Sequence, residues 1–138
     1  MDDATEAWAL LVRISDEQVR SRVVKVSHQH DLSGLQVELL RALALESPLP
    51  QREVARRLYC DPSNVTGLAD QLEARGLVER RFDQPDRRLR PLALTDQGRA
   101  LWEAFASRMF EPPDAITALP PADQRRLRDL LRRIVPDD

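Results

Sequence analysis

With 138 residues, 42% of them hydrophobic and 32% charged, the chain can bury one modest core, so one domain is expected and a second, catalytic one is not. A formal net charge of −2 and a sequence pI near 5.7 exclude an indiscriminate polycationic binder. The single cysteine, Cys60, excludes an intramolecular disulfide framework or a multi-cysteine metal site and predicts a reducing compartment. No apolar run nears the roughly 18 residues of a membrane span and the start Met1-Asp2-Asp3 is unlike a signal peptide, so the expected location is cytoplasmic, with no membrane partner.

Charge is unevenly spread. Residues 1–49 carry five Lys/Arg against eight Asp/Glu, residues 50–100 ten against eight, and residues 101–138 six against seven, so the middle stretch alone is net positive. All basic residues but Lys25 are Arg, whose planar fork suits phosphates and guanine edges, a bias that codon composition explains equally well.

Ala4 to about Gln29 reads as a long first helix, with Trp8, Leu11, Val12, Val19, Val23 and Val26 in a broad apolar stripe. A small domain has too little mass to cover that stripe. Packing against a second chain is the economical reading, and a helix lying across its own domain is the alternative. His28-Gln29-His30-Asp31 closes the helix. Two histidines two residues apart do not share a face and no third exists, so a surface connection is expected rather than a metal site.

A second helix opens on Ser33 as N-cap with Gln36 completing a capping box and Leu32 stapled against Val37. It should bury Leu35, Leu39, Leu40 and Leu43 and end before Ser47-Pro48-Leu49-Pro50. Gln51 to Leu58 forms a third helix with Val54, Ala55 and Leu58 inward. Arg52, Arg56 and Arg57 point elsewhere, toward the phosphates of a duplex or simply toward solvent. Cys60 lies in the turn Tyr59-Cys60-Asp61 with no basic helix or His nearby to activate it; it reads as structural, with redox sensing as the alternative.

The fourth helix starts with Asp61 as N-cap and Pro62 at the first helical position. Val65, Leu68, Ala69 and Leu72 recur on one face, which turns Ser63, Asn64, Thr66, Gly67, Asp70 and Gln71 outward. Gly76 is the expected left-handed stop with Leu77 as its apolar partner, and Val78 to Phe82 then begins a strand. Phe82 to Leu89 holds a Pro/Asp turn with Arg87 and Arg88 at a projecting tip, and Pro91 confines the returning strand to a sheet edge. A hairpin after a helix-turn-helix suggests a wing. Arginine at its tip suits the narrow minor groove, and a solubilising charged tip is the alternative.

Thr95 should cap a fifth helix carrying Leu101, Phe105 and Met109, widened by Trp102 and Ala104, and Glu111-Pro112-Pro113 breaks it. A sixth helix from about Pro121 to Val135 carries Leu127, Leu130, Leu131 and Ile134. Its arginines at 125, 126, 128, 132 and 133 read as the solvated outside of a dimer interface.

Five stretches carry a family resemblance: Leu49-Pro50-Gln51-Arg52-Glu53-Val54-Ala55-Arg56-Arg57-Leu58, Pro62-Ser63-Asn64-Val65-Thr66, Leu72-Glu73-Ala74-Arg75-Gly76-Leu77-Val78, Asp83-Gln84-Pro85-Asp86-Arg87-Arg88 and Leu94-Thr95-Asp96-Gln97-Gly98. In order and spacing, from residue 33 to about 105, they resemble the MarR family of winged-helix transcriptional regulators. The resemblance implies a mainly α fold, a winged helix-turn-helix of about six helices plus a two- or three-stranded β wing, with an all-helical dimerisation region from both termini. It divides one MarR-type domain, 1–138, into dimerisation helices 1–32 and 111–138, a winged helix-turn-helix 33–94 and a linking helix 95–110. Within the middle unit, 50–58 is the third helix, 62–75 the recognition helix and 77–94 the wing.

The resemblance further implies a homodimer on a pseudo-palindromic double-stranded DNA operator, recognition helices in successive major grooves and wings in flanking minor grooves. Ser63, Asn64, Thr66, Gly67 and Gln71 fall on recognition positions and Arg87 and Arg88 on the wing tip. Asp70 and Asp86 fall on wing-bracing positions. Gly67 stands where many relatives carry a larger side chain; glycine there permits close backbone approach but costs roughly 1 kcal/mol of helix propensity against alanine. Relatives often bind small aromatic acids or phenolics between the dimerisation helices and the winged helix, which makes His28 and Trp102 candidate effector contacts, a surface His and a core Trp being the alternatives.

The expected function is thus a DNA-binding regulator, usually a repressor in this family, released by a small ligand. The alternatives are a winged-helix protein-interaction module and a redox-sensing regulator acting through Cys60. With no Ser/His/Asp arrangement, Gly-rich phosphate loop or metal-spaced histidines, no enzyme, catalytic residue, metal or cofactor is expected. An interaction module would show an apolar or like-charged fourth-helix face, whereas this one is Ser/Asn/Thr/Gln beside a two-arginine wing.

Overall fold

A computed structural model describes residues 1–82 and 90–135. The wing-tip residues named above, Asp86, Arg87 and Arg88, lie outside the described residues. The elements run α1 Asp3–His30, α2 Gly34–Leu45, α3 Gln51–Arg57, α4 Pro62–Ala74, β1 Val78–Arg80, β2 Leu92–Leu94, α5 Asp96–Met109, α6 Asp114–Thr117 and α7 Pro121–Arg132.

Local chemistry accounts for most of these boundaries. The Ser33 capping box is complete: Ser33 Oγ accepts from the Gln36 N–H at 3.2 Å and Gln36 Oε1 accepts from the Ser33 N–H at 2.9 Å. Pro62 opens α4, and Gly76 at φ +72° closes it, with the Leu77 N–H donating back to the Leu72 carbonyl at 3.0 Å. Thr95 Oγ1 accepts from the Gly98 N–H at 3.0 Å to start α5 and donates to the Gly76 carbonyl at 2.6 Å, joining the end of α4 to the next helix.

Strands β1 and β2 pair antiparallel with Val78 opposite Leu94 and Arg80 opposite Leu92. Leu49 adds a single bridge to Leu92, so the third strand is reduced to one residue pair. The core fills the space between α2, α4, the sheet and α5. Leu39, Leu40, Leu43, Val54, Val65, Leu72, Val78 and Leu92 are fully buried, Val26 and Leu32 close it beside the end of α1, and Phe105 closes it from α5 with Trp102 tilted on its ring at 5.0 Å.

Several expectations are corrected. Leu35 is 44% exposed, and Gln36 is buried instead, because the capping box turns its amide inward. Asp61 occupies the N-cap position in extended conformation, but its side chain makes no capping bond, leaving Pro62 to set the start. The third helix ends at Arg57, where Tyr59 turns into the left-handed region, and β1 stops at Arg80 instead of Phe82. Ala104 is exposed. There are seven helices among the described residues where about six were expected, since Pro112-Pro113 stops α5 but leaves Asp114–Thr117 free to form another turn. The last helix ends at Arg132, short of Val135.

Two arginines cap the carboxyl ends of distant helices. Arg22 Nη1 of α1 donates to the carbonyls of Arg108 and Met109 at the end of α5, at 2.8 and 2.7 Å. Arg75, just past α4, donates to the His30 and Asp31 carbonyls ending α1, at 2.6 and 2.7 Å. Cations there meet the negative end of a helix dipole as well as its orphan carbonyls.

Candidate nucleic-acid interface

The outward face of α4 is set by the burial of Val65, Ala69 and Leu72 behind it. Ser63, Asn64, Thr66, Gly67, Asp70 and Gln71 are all exposed, but they do not share one environment. Ser63 and Asn64 lie in the first turn. The Thr66 hydroxyl is within 3.3 Å of both the Pro62 carbonyl and Gln51 Oε1, which ties it to its own helix and to the start of α3. A Cβ added at Gly67 would meet nothing within 4 Å, so packing does not require glycine there and the helix backbone is open to an approaching partner. Gln71 Oε1 accepts from the buried Gln36 Nε2 at 2.7 Å, which turns Gln71 toward α2.

Asp70 braces an arginine of the β hairpin: its Oδ1 accepts from Arg80 Nη2 at 2.6 Å. Arg80 also donates through Nη1 to Glu73 Oε1 at 3.0 Å and through its backbone N–H to Glu73 Oε2 at 3.1 Å. Its side chain is only 10% exposed, so a strand cation is held against α4 by two carboxylates and locks the helix to the sheet. Sequence reading passed over Arg80, yet a signal existed. Strand alternation from buried Val78 points residue 80 inward, and an inward guanidinium requires anionic partners. Arg80→Met is expected to lower stability by about 1.5–3 kcal/mol, the range for hydrogen bonds to charged groups. Asp70→Asn, which leaves Glu73 in place, should cost less. Urea denaturation compares them, and equal losses would remove the clamp from the argument.

Of the two readings left open for the α3 arginines, phosphate contact or a solvated face, the intrachain pairs of Arg56 and Arg57 favour the second. Arg56 makes a two-bond pair with Glu53 at 2.6 and 3.1 Å, and Arg57 pairs with Glu53 and Glu46. Arg56 first and Arg57 second hold the Glu53 carboxyl down to about 2, so it is ionised and paired at neutral pH. Arg52 is exposed and has no ion pair among the described residues, which leaves it the α3 arginine available to a partner.

Between α1, α2 and α5 lies a cleft of about 380 Å³ whose walls include Val19, Val23, Val37, Arg41, Trp102 and Phe105. Trp102 is thus at a ligand-sized cavity, whereas His28 is exposed on α1 and does not line it. Cys60 is half-buried and packs against the core cluster. Among the described residues no group of three His, Cys, Asp or Glu could hold a metal, and no helix is long and apolar enough to cross a membrane.

A helix-turn-helix followed by a two-stranded hairpin, flanked by helices from both ends of the chain, defines a winged helix-turn-helix protein. Residues 30–89 match the family model described as MarR family. The HTH-type transcriptional regulator TtmR of Methylorubrum extorquens is 40% identical over 72 residues, 52% of this chain and 37% of that protein. The chain spans between about a third and two thirds of the length of the first curated relatives it matches. The transcriptional regulator Tm0710 from Thermotoga maritima superposes with a TM-score of 0.78 at 25% identity, covering 94% of this chain and 92% of that one. NadR, solved in complex with 4-hydroxyphenylacetate, gives 0.66 at 26% identity, covering 90% and 88%. Sequence and fold agree: the chain is similar to MarR-family regulators over residues 30–89 and shares the winged-helix fold of these neighbours.

Proposed function

We propose that the chain is a homodimeric, non-enzymatic transcriptional regulator of the cytoplasm that binds a pseudo-palindromic DNA operator and acts as a repressor released by a small aromatic ligand. The observation that carries this reading is the exposed polar turn Ser63-Asn64 on a helix that Arg80 ties to the sheet through Asp70 and Glu73, a helix being what a major groove admits. Arg87 and Arg88, with Asp86 bracing them, are proposed to enter the flanking minor grooves. Selecting bound sequences from random DNA tests the proposal. The expected site is an imperfect palindrome with half-site centres about one helical turn apart. Recovery of no preferred sequence by a folded dimer would favour the protein-interaction module.

The dimer is supported by what the single chain leaves uncovered. Trp8 is 67% exposed and lies with Leu11, Val12, Val19 and Val23 along a groove of about 650 Å³ on α1, and none of the apolar residues of α7 is buried. Sedimentation at micromolar concentration should give a dimer mass. A concentration-independent monomer would remove both the dimer and the two-half-site mechanism.

The cleft beside Trp102 supports the ligand. Its walls are mainly apolar and aromatic, with Arg41 and Glu38 paired with each other at 3.5 Å on one side, which suits a small aromatic molecule with a polar end, and the neighbour NadR holds 4-hydroxyphenylacetate. Thermal-shift screening with small aromatic carboxylates detects such binding, because a ligand specific for the native state stabilises it by mass action.

A further inference from the structure

Tyr59 closes α3 as the residue in the left-handed region, φ +52°, with the Cys60 N–H donating past it to the Ala55 carbonyl at 3.1 Å. Glycine fills such a position without strain, and a bulky residue there is an outlier that functional sites tend to retain. The ring contributes nothing to the core, for Tyr59 is 97% exposed. It stands on the rim of an open, largely polar groove of about 450 Å³, whose walls also include Arg56, Asp61 and Asn64. Asn64 belongs to the first-turn edge proposed above to face the major groove, so the phenol lies at the edge of the surface that a duplex would cover. The neighbouring guanidinium of Arg56 is already paired with Glu53, and Asp61 repels phosphate. With the Asn64 amide given to the bases, the tyrosine hydroxyl is therefore the neutral donor this rim leaves for the backbone.

Resting on the DNA-binding reading, we propose that Tyr59 is a DNA-backbone contact: its ring packs on a deoxyribose and its hydroxyl donates to one phosphate beside the base pair faced by Asn64. Tyrosine is among the side chains that make such positioning contacts, and its ring supplies contact area at little entropic cost. A contact of this kind positions the helix and carries no sequence information of its own.

The test uses the full chain and an operator selected from random DNA. Tyr59→Gly relieves the left-handed strain, so its melting temperature should hold or rise, while affinity falls about a hundredfold or more, one hydrogen bond to a phosphate and one ring contact being lost at each of two half-sites. The ranking of single-base operator variants and the slope of affinity against salt should both stay as in the wild type, because the lost group is neutral. Ethylation of one phosphate per half-site should interfere with wild-type binding and cease to do so in Tyr59→Phe, which keeps the ring and loses the hydroxyl. Wild-type affinity in Tyr59→Gly, alongside a loss in Asn64→Ala, would overturn the contact and leave the DNA reading standing. A parallel fall of melting temperature and affinity would also overturn it, by assigning Tyr59 to the architecture of the turn. If the wild type binds no selected DNA, the failure lies with the DNA reading.

Discussion

Gly98→Ala is expected to cost about 3 kcal/mol of stability or more, at the upper end for overpacking a core, and to lower the melting temperature by roughly 10 °C. Gly98 is the third residue of α5, where alanine would ordinarily be the better helix former by about 1 kcal/mol. Here packing reverses that sign. A Cβ would sit 1.9 Å from the Leu77 carbonyl oxygen and 2.9 Å from its carbon, with Leu94 Cδ2 at 3.2 Å. The obstructing atoms are backbone, and the same carbonyl accepts from the Thr95 N–H at 3.2 Å, so it cannot step aside without opening the junction of α4, β2 and α5. Gly67→Ala is the internal control. It meets open space and should gain up to about 1 kcal/mol. Thermal denaturation of the two variants side by side checks the argument, which fails if both melt like the parent.

The second large effect concerns the operator. Asn64→Ala should cost about 1–3 kcal/mol per half-site and relax selection at one base pair, since a carboxamide can pair with two atoms on an adenine edge. A symmetric dimer doubles the loss. Arg87→Ala or Arg88→Ala should instead weaken binding to all sequences alike and make the salt dependence shallower by roughly one phosphate-equivalent per wing, because such groups answer to backbone charge and groove width. Competition against single-base operator variants at several salt concentrations separates the two signatures. If neither substitution changes DNA binding while the dimer stays folded, the interaction-module reading takes the lead.

The start of α2 at Ser33, the proline start of α4, the Gly76 stop with its Leu77 partner and the Thr95 cap of α5 were all legible in the sequence, and so was the α4 face turned outward. Each is a relation among residues at most five apart, where cap chemistry and the 3.6-residue period decide the outcome. Gly76 and Gly98 divide the cases. The left-handed stop at Gly76 is visible as a local pattern, whereas the need for glycine at 98 appears only once Leu77 is folded against it. Polar pairing went the same way. Asp70 could be marked as a brace, but its partner Arg80 and the second carboxylate, Glu73, come together only when β1 lies across α4. Arg56 and Arg57 looked free until Glu53 and Glu46 took them, and Leu35 looked buried until Gln36 turned inward to reach Gln71. Arg22 and Arg75 find the carboxyl ends of helices 86 and 44 residues away. An arginine's reach and a carboxylate's position are set by how helices cross, which no periodicity encodes, so the sequence by itself determined the helices and their faces while tertiary packing decided which charges are spent on the fold and which face a partner.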